Sequence, residues 1–217
     1  GLKPLEDAYA VFYKMKAYCD VLKAPFLVLE TPAGQVLNGE GVRAAKEFFS
    51  SLSLGGLRLV WEYRAPFTPK IGGLMQDFGI VQCVDLSLGQ PSVASDIVYS
   101  RIFGKGKHNL YQFTDDELVD IEQNAHKPQA KKVVVSFHGV RMYLDAARSQ
   151  VHLRTGNFLP VTDYFGIDSA RAVLAEDAVF PTSKAQLIAG QGWKVIDLAV
   201  DKRVHLADVL GRIPEKT

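Results

Sequence analysis

The sequence predicts an α/β protein: a TIM-like (β/α) barrel that is incomplete at its amino terminus, followed by a small α+β module. Short apolar, β-branched runs alternate with stretches of helical periodicity, and an ionisable residue and turn chemistry end each run. Repeated strand and helix units of this kind form a parallel sheet with right-handed crossovers. Five strands can be recognised where a barrel needs eight, so roughly three units are expected to precede residue 1 in a complete chain.

The predicted elements alternate in order along the first part of the chain. Helices are expected over 5–22, 41–52, 71–78, 114–125 and 141–149, and strands over 26–30, 57–63, 80–85, 97–103 and 133–137. Apolar residues at helical spacing indicate the first helix, and Thr114 and Glu117 stand at capping-box spacing where the fourth begins. The connection from Asp85 to Arg101 is short for a crossover helix and rich in Gly, Pro and Ser, which predicts a loop.

The character of the chain changes after residue 153. Residues 154–164 carry Thr, Gly, Asn and Pro, as linkers do, and a helix is expected over 168–177. Ser183 and Gln186 indicate a second, short helix, followed by a strand over 193–198, a turn at 201–203 and a helix over 206–210. The sequence therefore predicts a barrel domain over 1–153 and a linker with an α+β module over 154–217, which is expected to pack on the main domain.

Composition limits the classes of function. Twenty-five basic and twenty-four acidic residues give a net charge of +1, so the overall charge does not indicate nucleic acid or an anionic membrane as a binding partner. Two cysteines are too few for a disulfide framework or a cysteine zinc site. No apolar run has the length of a membrane span and no signal peptide is evident, which predicts a cytoplasmic protein without a membrane partner.

A series of short motifs resembles the YecE-like family, known as domain of unknown function 72. The motifs are Val60-Trp61-Glu62-Tyr63-Arg64, Val84-Asp85, Tyr99-Ser100-Arg101-Ile102-Phe103-Gly104, Tyr111 to Leu118, and Phe137 with Asp145-Ala146. The resemblance covers about residues 1–150 and corresponds to the later two thirds of the family's domain. It implies a TIM-like barrel without a settled activity, and a C-terminal module of unknown function as in archaeal relatives.

Two positions depart from the family pattern. Many members have a His where this chain has Phe103, and an Asn pair where it has His138 and Gly139. A mechanism that uses those side chains cannot be carried over intact.

The strand ends supply the candidate site residues. Side chains two apart on a strand share a face, so Glu30, Glu62, Arg64, Asp85, Arg101 and His138 would converge if these faces look inward. Ligands of α/β proteins bind at this carboxyl rim. The alternative is a structural polar layer at the barrel mouth, in which each buried charge has a partner.

The candidate residues suggest three kinds of chemistry. Arg64, Arg101, Lys105 and Lys107 could bind phosphate, with Tyr111 among the aromatics that could stack on bases, although such aromatics more often belong to a core. Glu30, Glu62 and Asp85 are oxygen ligands suited to a divalent metal cofactor. Glu62, Asp85 and His138 are the candidate catalytic acid–base residues. A further basic and aromatic patch, Trp193, Lys194, Lys202, Arg203 and His205, is better explained as a solvated turn.

Two functional classes remain open from the sequence. The first is a protein that binds a phosphate-bearing ligand, a nucleotide or nucleic acid, and acts as a phosphoesterase or nuclease-like hydrolase. The second is a non-catalytic binding or assembly protein whose mouth charges are structural. Because five strands leave sheet edges uncovered, we also expect either a separate N-terminal barrel half or self-association.

Overall fold

The computed structural model describes residues 2–214. Residue 1 and residues 215–217, which fall within the expected domains, lie outside the described residues. The helices are α1 (Glu6–Leu22), α2 (Gly39–Ser50), α3 (Pro69–Asp77), α4 (Asp115–Ala125), α5 (Met142–Thr155), α6 (Gly166–Ala175), α7 (Lys184–Gln191) and α8 (Leu206–Gly211). The strands are β1 (Phe26–Thr31), β2 (Arg58–Tyr63), β3 (Val81–Val84), β4 (Ile97–Ile102), β5 (Lys132–Phe137), β6 (Val195–Ala199) and β7 (Lys202–His205).

Strands β1 to β5 form one sheet in the order β1-β2-β3-β4-β5. The pairs β1–β2, β2–β3 and β3–β4 are parallel, and Glu30 lies opposite Glu62 in the first of them. The prediction of an α/β protein with five sheet strands is confirmed. The TIM-like barrel stays a prediction.

Local capping chemistry explains where several helices begin and end. The Asn38 side chain accepts a hydrogen bond from the Gly41 N–H at the start of α2, and Thr68 caps α3, which has Pro69 in its first turn. Ser183 and Gln186 form the predicted capping box of α7. Helix α5 runs past the expected boundary at residue 153 and ends at Thr155. Gly156 follows as the C-cap, and its positive φ of 73° is easily adopted by glycine.

Contacts divide the chain into two compact units. The first comprises residues 1–85, 89–100 and 125–135, and the second comprises 86–88, 101–124 and 136–217. The expected boundary after residue 153 stays a prediction.

The first unit has an aromatic core. Trp61 on β2 is fully buried, packs edge-on against Phe49 and Tyr63, and donates its indole N–H to the Thr31 hydroxyl at 2.8 Å. Burying a large apolar side chain contributes about 1.5–3 kcal/mol, so this cluster holds α2 and α3 on the sheet. The loop predicted between Asp85 and Arg101 is confirmed, because no helix lies between β3 and β4.

The second unit contains the C-terminal hairpin. Strands β6 and β7 pair antiparallel with a register shift between Asp197 and Ala199, and α6 and α8 pack on them around Ile196 and Leu206. The turn expected at 201–203 lies at Val200 and Asp201 instead, because Lys202–His205 forms β7. This strand is mostly polar and therefore lacks the apolar run that marks a strand in sequence. Within residues 2–214, no helix has the length and apolarity required to cross a membrane.

Candidate ligand-binding site

Three of the predicted residues meet at the ends of β1 and β2 in the first unit. Adjacent strands set Glu30 beside Glu62, and Arg64 reaches both: its Nη2 lies 2.9 Å from Glu30 Oε2 and its Nε 2.5 Å from Glu62 Oε1. The Glu62 side chain is 9% exposed and that of Arg64 39%. One guanidinium thus offsets two neighbouring carboxylates, as expected of a structural polar layer.

The proposed metal ligands do not form a ligand group. Asp85 follows β3 directly, and its carbonyl accepts a hydrogen bond from Gly89 N at 3.2 Å. Among residues 2–214, no set of three or more His, Cys, Asp or Glu side chains is arranged to hold a metal ion. Glu30, Glu62 and Asp85 are therefore not arranged as a set of metal ligands.

In the second unit, Arg101 and His138 lie together. Arg101 Nε donates to His138 Nε2 at 3.2 Å, and the Ser136 hydroxyl lies 3.0 Å from the same nitrogen. The Phe103 ring stacks on His138 at 5.0 Å, and the Arg101 guanidinium lies over Phe103. A nitrogen that accepts a hydrogen bond from arginine carries no proton, so this contact favours the neutral imidazole.

The Gly104 to Tyr111 segment after β4 is closely folded. Gly104 has a φ of 84°, and a Cβ there would lie 2.6 Å from Tyr111 Cβ. A Cβ on Gly106 would lie 2.0 Å from the Leu110 carbonyl oxygen. His108 and Asn109 both have positive φ, which is rare for residues other than glycine. The glycines are needed for this conformation, and strained backbone of this kind is concentrated at functional sites.

Of the two lysines in this segment, Lys105 forms an ion pair, whereas the Lys107 side chain forms none with any residue between 2 and 214. Lys105 Nζ lies 2.8 Å from Glu117 Oε1, and Tyr111 donates its hydroxyl to the same oxygen. Burial raises the pKa of the Glu117 carboxyl, but the hydrogen bonds from Lys105 and Tyr111 outweigh it and the pKa lies below its ordinary value. Burial raises the pKa of Tyr111, and the hydrogen bond to Glu117 raises it further, so the hydroxyl stays a neutral donor.

Lys107 and Tyr111 line an open groove of about 460 Å³, which we call the loop groove. Its lining residues are Gly106, Lys107, Leu110, Tyr111, Ile188, Ala189, Gly192, Trp193, His205, Ala207 and Asp208. A Cβ on Gly192 would lie 2.4 Å from the Ile188 carbonyl oxygen and 2.9 Å from Ala207 Cβ, so α7 and α8 approach closely along this part of the lining. Small side chains there leave space for a ligand.

Hydrogen bonds within the second unit fix the rings of the loop groove. Trp193 Nε1 donates to the Gly190 carbonyl at 2.9 Å, and His205 Nε2 donates to the Gln112 carbonyl at 2.9 Å. The Tyr111 and His205 rings are 5.1 Å apart. In the part of the chain that the structure describes, no hydrogen bond or ion pair engages the Lys107 side chain. The groove therefore combines a fixed aromatic lining with a cation, Lys107, that has no counter-ion among the described residues.

A buried charge network lies in the same unit, and the sequence reasoning missed it. Its members are Asp115, Asp145, Arg148, Asp197 and Arg203. Arg148 Nη2 lies 2.7 Å and Arg203 Nη1 2.6 Å from the Asp115 carboxylate, which joins α5 and β7 to the start of α4. The spacing of Asp145 and Arg148 by three positions on a helix was the available signal.

The structure corrects the account of the patch at 193–205 as a solvated turn. Lys194 is fully buried and ion-paired with Asp177 and Glu176, and the Arg203 side chain is 5% exposed. Trp193 and His205 line the loop groove. Their spacing in sequence does not reveal this, because the segment 106–111, helix α7 with Gly192, and helix α8 supply the rest of the lining.

Comparisons with known proteins identify no relative: no protein-family model, no curated protein and no solved structure matches this chain.

Proposed function

We propose that the protein binds a phosphate-bearing ligand, a nucleotide or a segment of nucleic acid, in the loop groove. The observation that supports this is the placement of Lys107, which has no ion-pair partner among residues 2–214, beside the rings of Tyr111, Trp193 and His205. An ammonium group binds phosphate as a point charge. Stacking of a base on an aromatic side chain contributes about 1–3 kcal/mol.

The loop groove suits this role better than the strand-end arginine at Arg64. That guanidinium already contacts two carboxylates, so a phosphate would have to compete with Glu30 and Glu62. The segment that carries Lys107 is held by the close approaches at Gly104 and Gly106. A preorganised segment loses less conformational entropy when a ligand binds.

Hydrolysis of a phosphoester is the catalytic form of this proposal. It rests on the sequence alone, in which His138 is an expected acid–base residue and Arg101, Lys105, Lys107 and Tyr111 are expected substrate contacts in the same unit. Release of inorganic phosphate from a bound nucleotide would be the readout.

A second candidate function is a non-catalytic binding or assembly protein with a structural polar layer. The ion pairs of Arg64 with Glu30 and Glu62 favour it for that part of the chain. On this account Arg64→Gln lowers the thermal midpoint of unfolding and leaves nucleotide affinity unchanged. A loss of affinity in that variant would contradict it.

We also infer that the five-stranded sheet belongs to a barrel. A parallel sheet whose strands follow the chain order supports a TIM-like barrel of the YecE-like type, since doubly wound sheets reverse their order at a switch point. We propose a cytoplasmic location, supported by two cysteines that are buried thiols. We also propose that an N-terminal barrel half or a second copy pairs with edge strand β1.

Isothermal titration calorimetry with AMP, GMP and ribose 5-phosphate tests the binding proposal. We expect saturable binding to the wild-type protein and a loss of about tenfold or more in affinity for Lys107→Ala, because one charged hydrogen bond is worth about 1.5–3 kcal/mol. The matched control is Lys202→Ala, which removes the same charge from an exposed position outside the groove lining. The proposal fails if none of the three ligands binds, or if both variants bind equally well.

A further inference from the structure

The loop groove offers hydrogen-bond acceptors beside its rings. His205 Nε2 donates to the Gln112 carbonyl, so Nδ1 accepts a hydrogen bond whenever the ring is neutral. Asp208 is exposed, lines the groove, and has no hydrogen bond or ion pair with its side chain among residues 2–214. Burial chiefly raises the pKa of Tyr111, and the nearby charges of Glu117 and Asp208 add to it, which agrees with the position of this carboxylate close to the ring.

A carboxylate accepts hydrogen bonds and donates none, so its best partner is a group with two adjacent donors. Guanine presents such an edge, because its N1–H and its 2-amino group lie side by side and match two carboxylate oxygens. Adenine and cytosine place a ring-nitrogen acceptor next to their amino group, and uracil places carbonyl oxygens on both sides of its ring N–H. Each of these other edges sets an acceptor against the carboxylate, which is repulsive.

We propose that the loop groove selects guanine nucleotides, with Asp208 as the specificity-determining residue that accepts from guanine N1–H and the 2-amino group. The inference rests on the proposed function, because Lys107 would bind the phosphate of the same ligand. The base stacks against the ring of Trp193 or Tyr111, and the discrimination comes from Asp208. Pairing with both guanine donors strengthens binding, whereas an edge that sets an acceptor against the Asp208 carboxylate weakens it.

Binding of four nucleoside monophosphates tests this selection. GMP, IMP, AMP and XMP share the ribose and phosphate, and IMP differs from GMP only by the absence of the 2-amino group. We expect wild-type protein to bind GMP at least about tenfold more tightly than AMP, with IMP between them. Equal affinities for all four would overturn the base selection and leave the phosphate proposal intact. Absence of binding by all four would overturn both.

The variant Asp208→Asn tests the residue itself. The Asn amide donates a hydrogen bond where the carboxylate accepted one. The variant should therefore lose affinity for GMP and gain affinity for XMP, whose 2-oxo group accepts a hydrogen bond. The matched control is Asp201→Asn, which makes the same change at an exposed position outside the groove lining. Thermal melting should be unchanged in both variants because both side chains are exposed. An unaltered preference for GMP over XMP in Asp208→Asn would overturn the assignment.

Discussion

Arg148 and Asp145 form an ion pair inside the second unit, with 3.0 Å between Nη1 and Oδ1 and side chains that are 2% and 1% exposed. Arg148 also contacts Asp115 and donates to the Phe113 carbonyl at 2.5 Å. Removing one member of a buried pair leaves the other desolvated and uncompensated. This arginine therefore has a structural role that its position on a polar helix does not suggest.

We predict that Arg148→Met lowers the free energy of unfolding by about 3–5 kcal/mol at about pH 8, as is typical for breaking a buried pair. The control is Arg171→Met, which removes an exposed pair with Asp168 at the same helical spacing and should change stability by less than about 1 kcal/mol. Urea denaturation followed by circular dichroism measures both. Equal effects in the two variants would contradict the assigned role of burial.

Asp145 gives the protein a specific pH dependence. Burial raises the pKa of its carboxyl from 3.8 to about 7, against the opposing effect of Arg148. Between these two values the folded state keeps a proton that the unfolded state has released. The stability that this group contributes is therefore fully present below about pH 4 and is lost as the pH rises to about 7.

We predict that this decrease in stability with rising pH disappears in Asp145→Asn. Urea unfolding of wild type and variant at a series of pH values isolates the contribution of Asp145 to stability. Glu117 is separated from it because its pKa is lowered, so its contribution changes at lower pH and in the opposite direction. A wild-type stability that falls relative to the variant as the pH rises to about 7 is expected. Parallel curves would show that Asp145 does not titrate in this range.

Much of the fold could be predicted from the sequence, because apolar periodicity and capping residues are local signals. The five sheet strands and the capping box at Ser183 were found in this way. Strand β7 was missed because its residues are polar. It is stabilised by a partner distant in sequence, because Arg203 Nη1 lies 2.6 Å from Asp115 Oδ2. Tertiary pairing of this kind leaves no periodic pattern.

The segment after β4 can be tested through Gly106. We predict that Gly106→Ala destabilises the protein by about 1–3 kcal/mol, since its Cβ would meet the Leu110 carbonyl and force the backbone to move. The movement should also weaken nucleotide binding, because Lys107 and Tyr111 belong to the same segment. Gly190→Ala is the control: a Cβ there has nothing within 4 Å, and the helical position should gain up to about 1 kcal/mol.

Thermal unfolding and nucleotide titration of both glycine variants decide the matter. A Gly106→Ala protein as stable as wild type, with unchanged affinity, would mean that the segment tolerates a side chain and that its conformation is not fixed by glycine.

Only part of the candidate site could be predicted from the sequence. Alternation along strands correctly joined Glu30, Glu62 and Arg64, and it placed Arg101 and His138 at strand ends where they hydrogen-bond to each other. The sequence also suggested Lys107, on the loop after β4, and Tyr111, an aromatic residue, as ligand contacts, which stays a prediction. The groove around them could not be foreseen, because Trp193 before β6, His205 on β7 and Asp208 on α8 lie far along the chain.

Tryptophan fluorescence during a titration with GMP tests the binding proposal most directly. Trp193 lines the loop groove, whereas Trp61 is fully buried in the core of the other unit. We predict a saturable change in emission for wild-type protein that is absent in Trp193→Phe. No saturable change in the wild type, or the same change in the variant, would contradict the assignment of the loop groove as a nucleotide site.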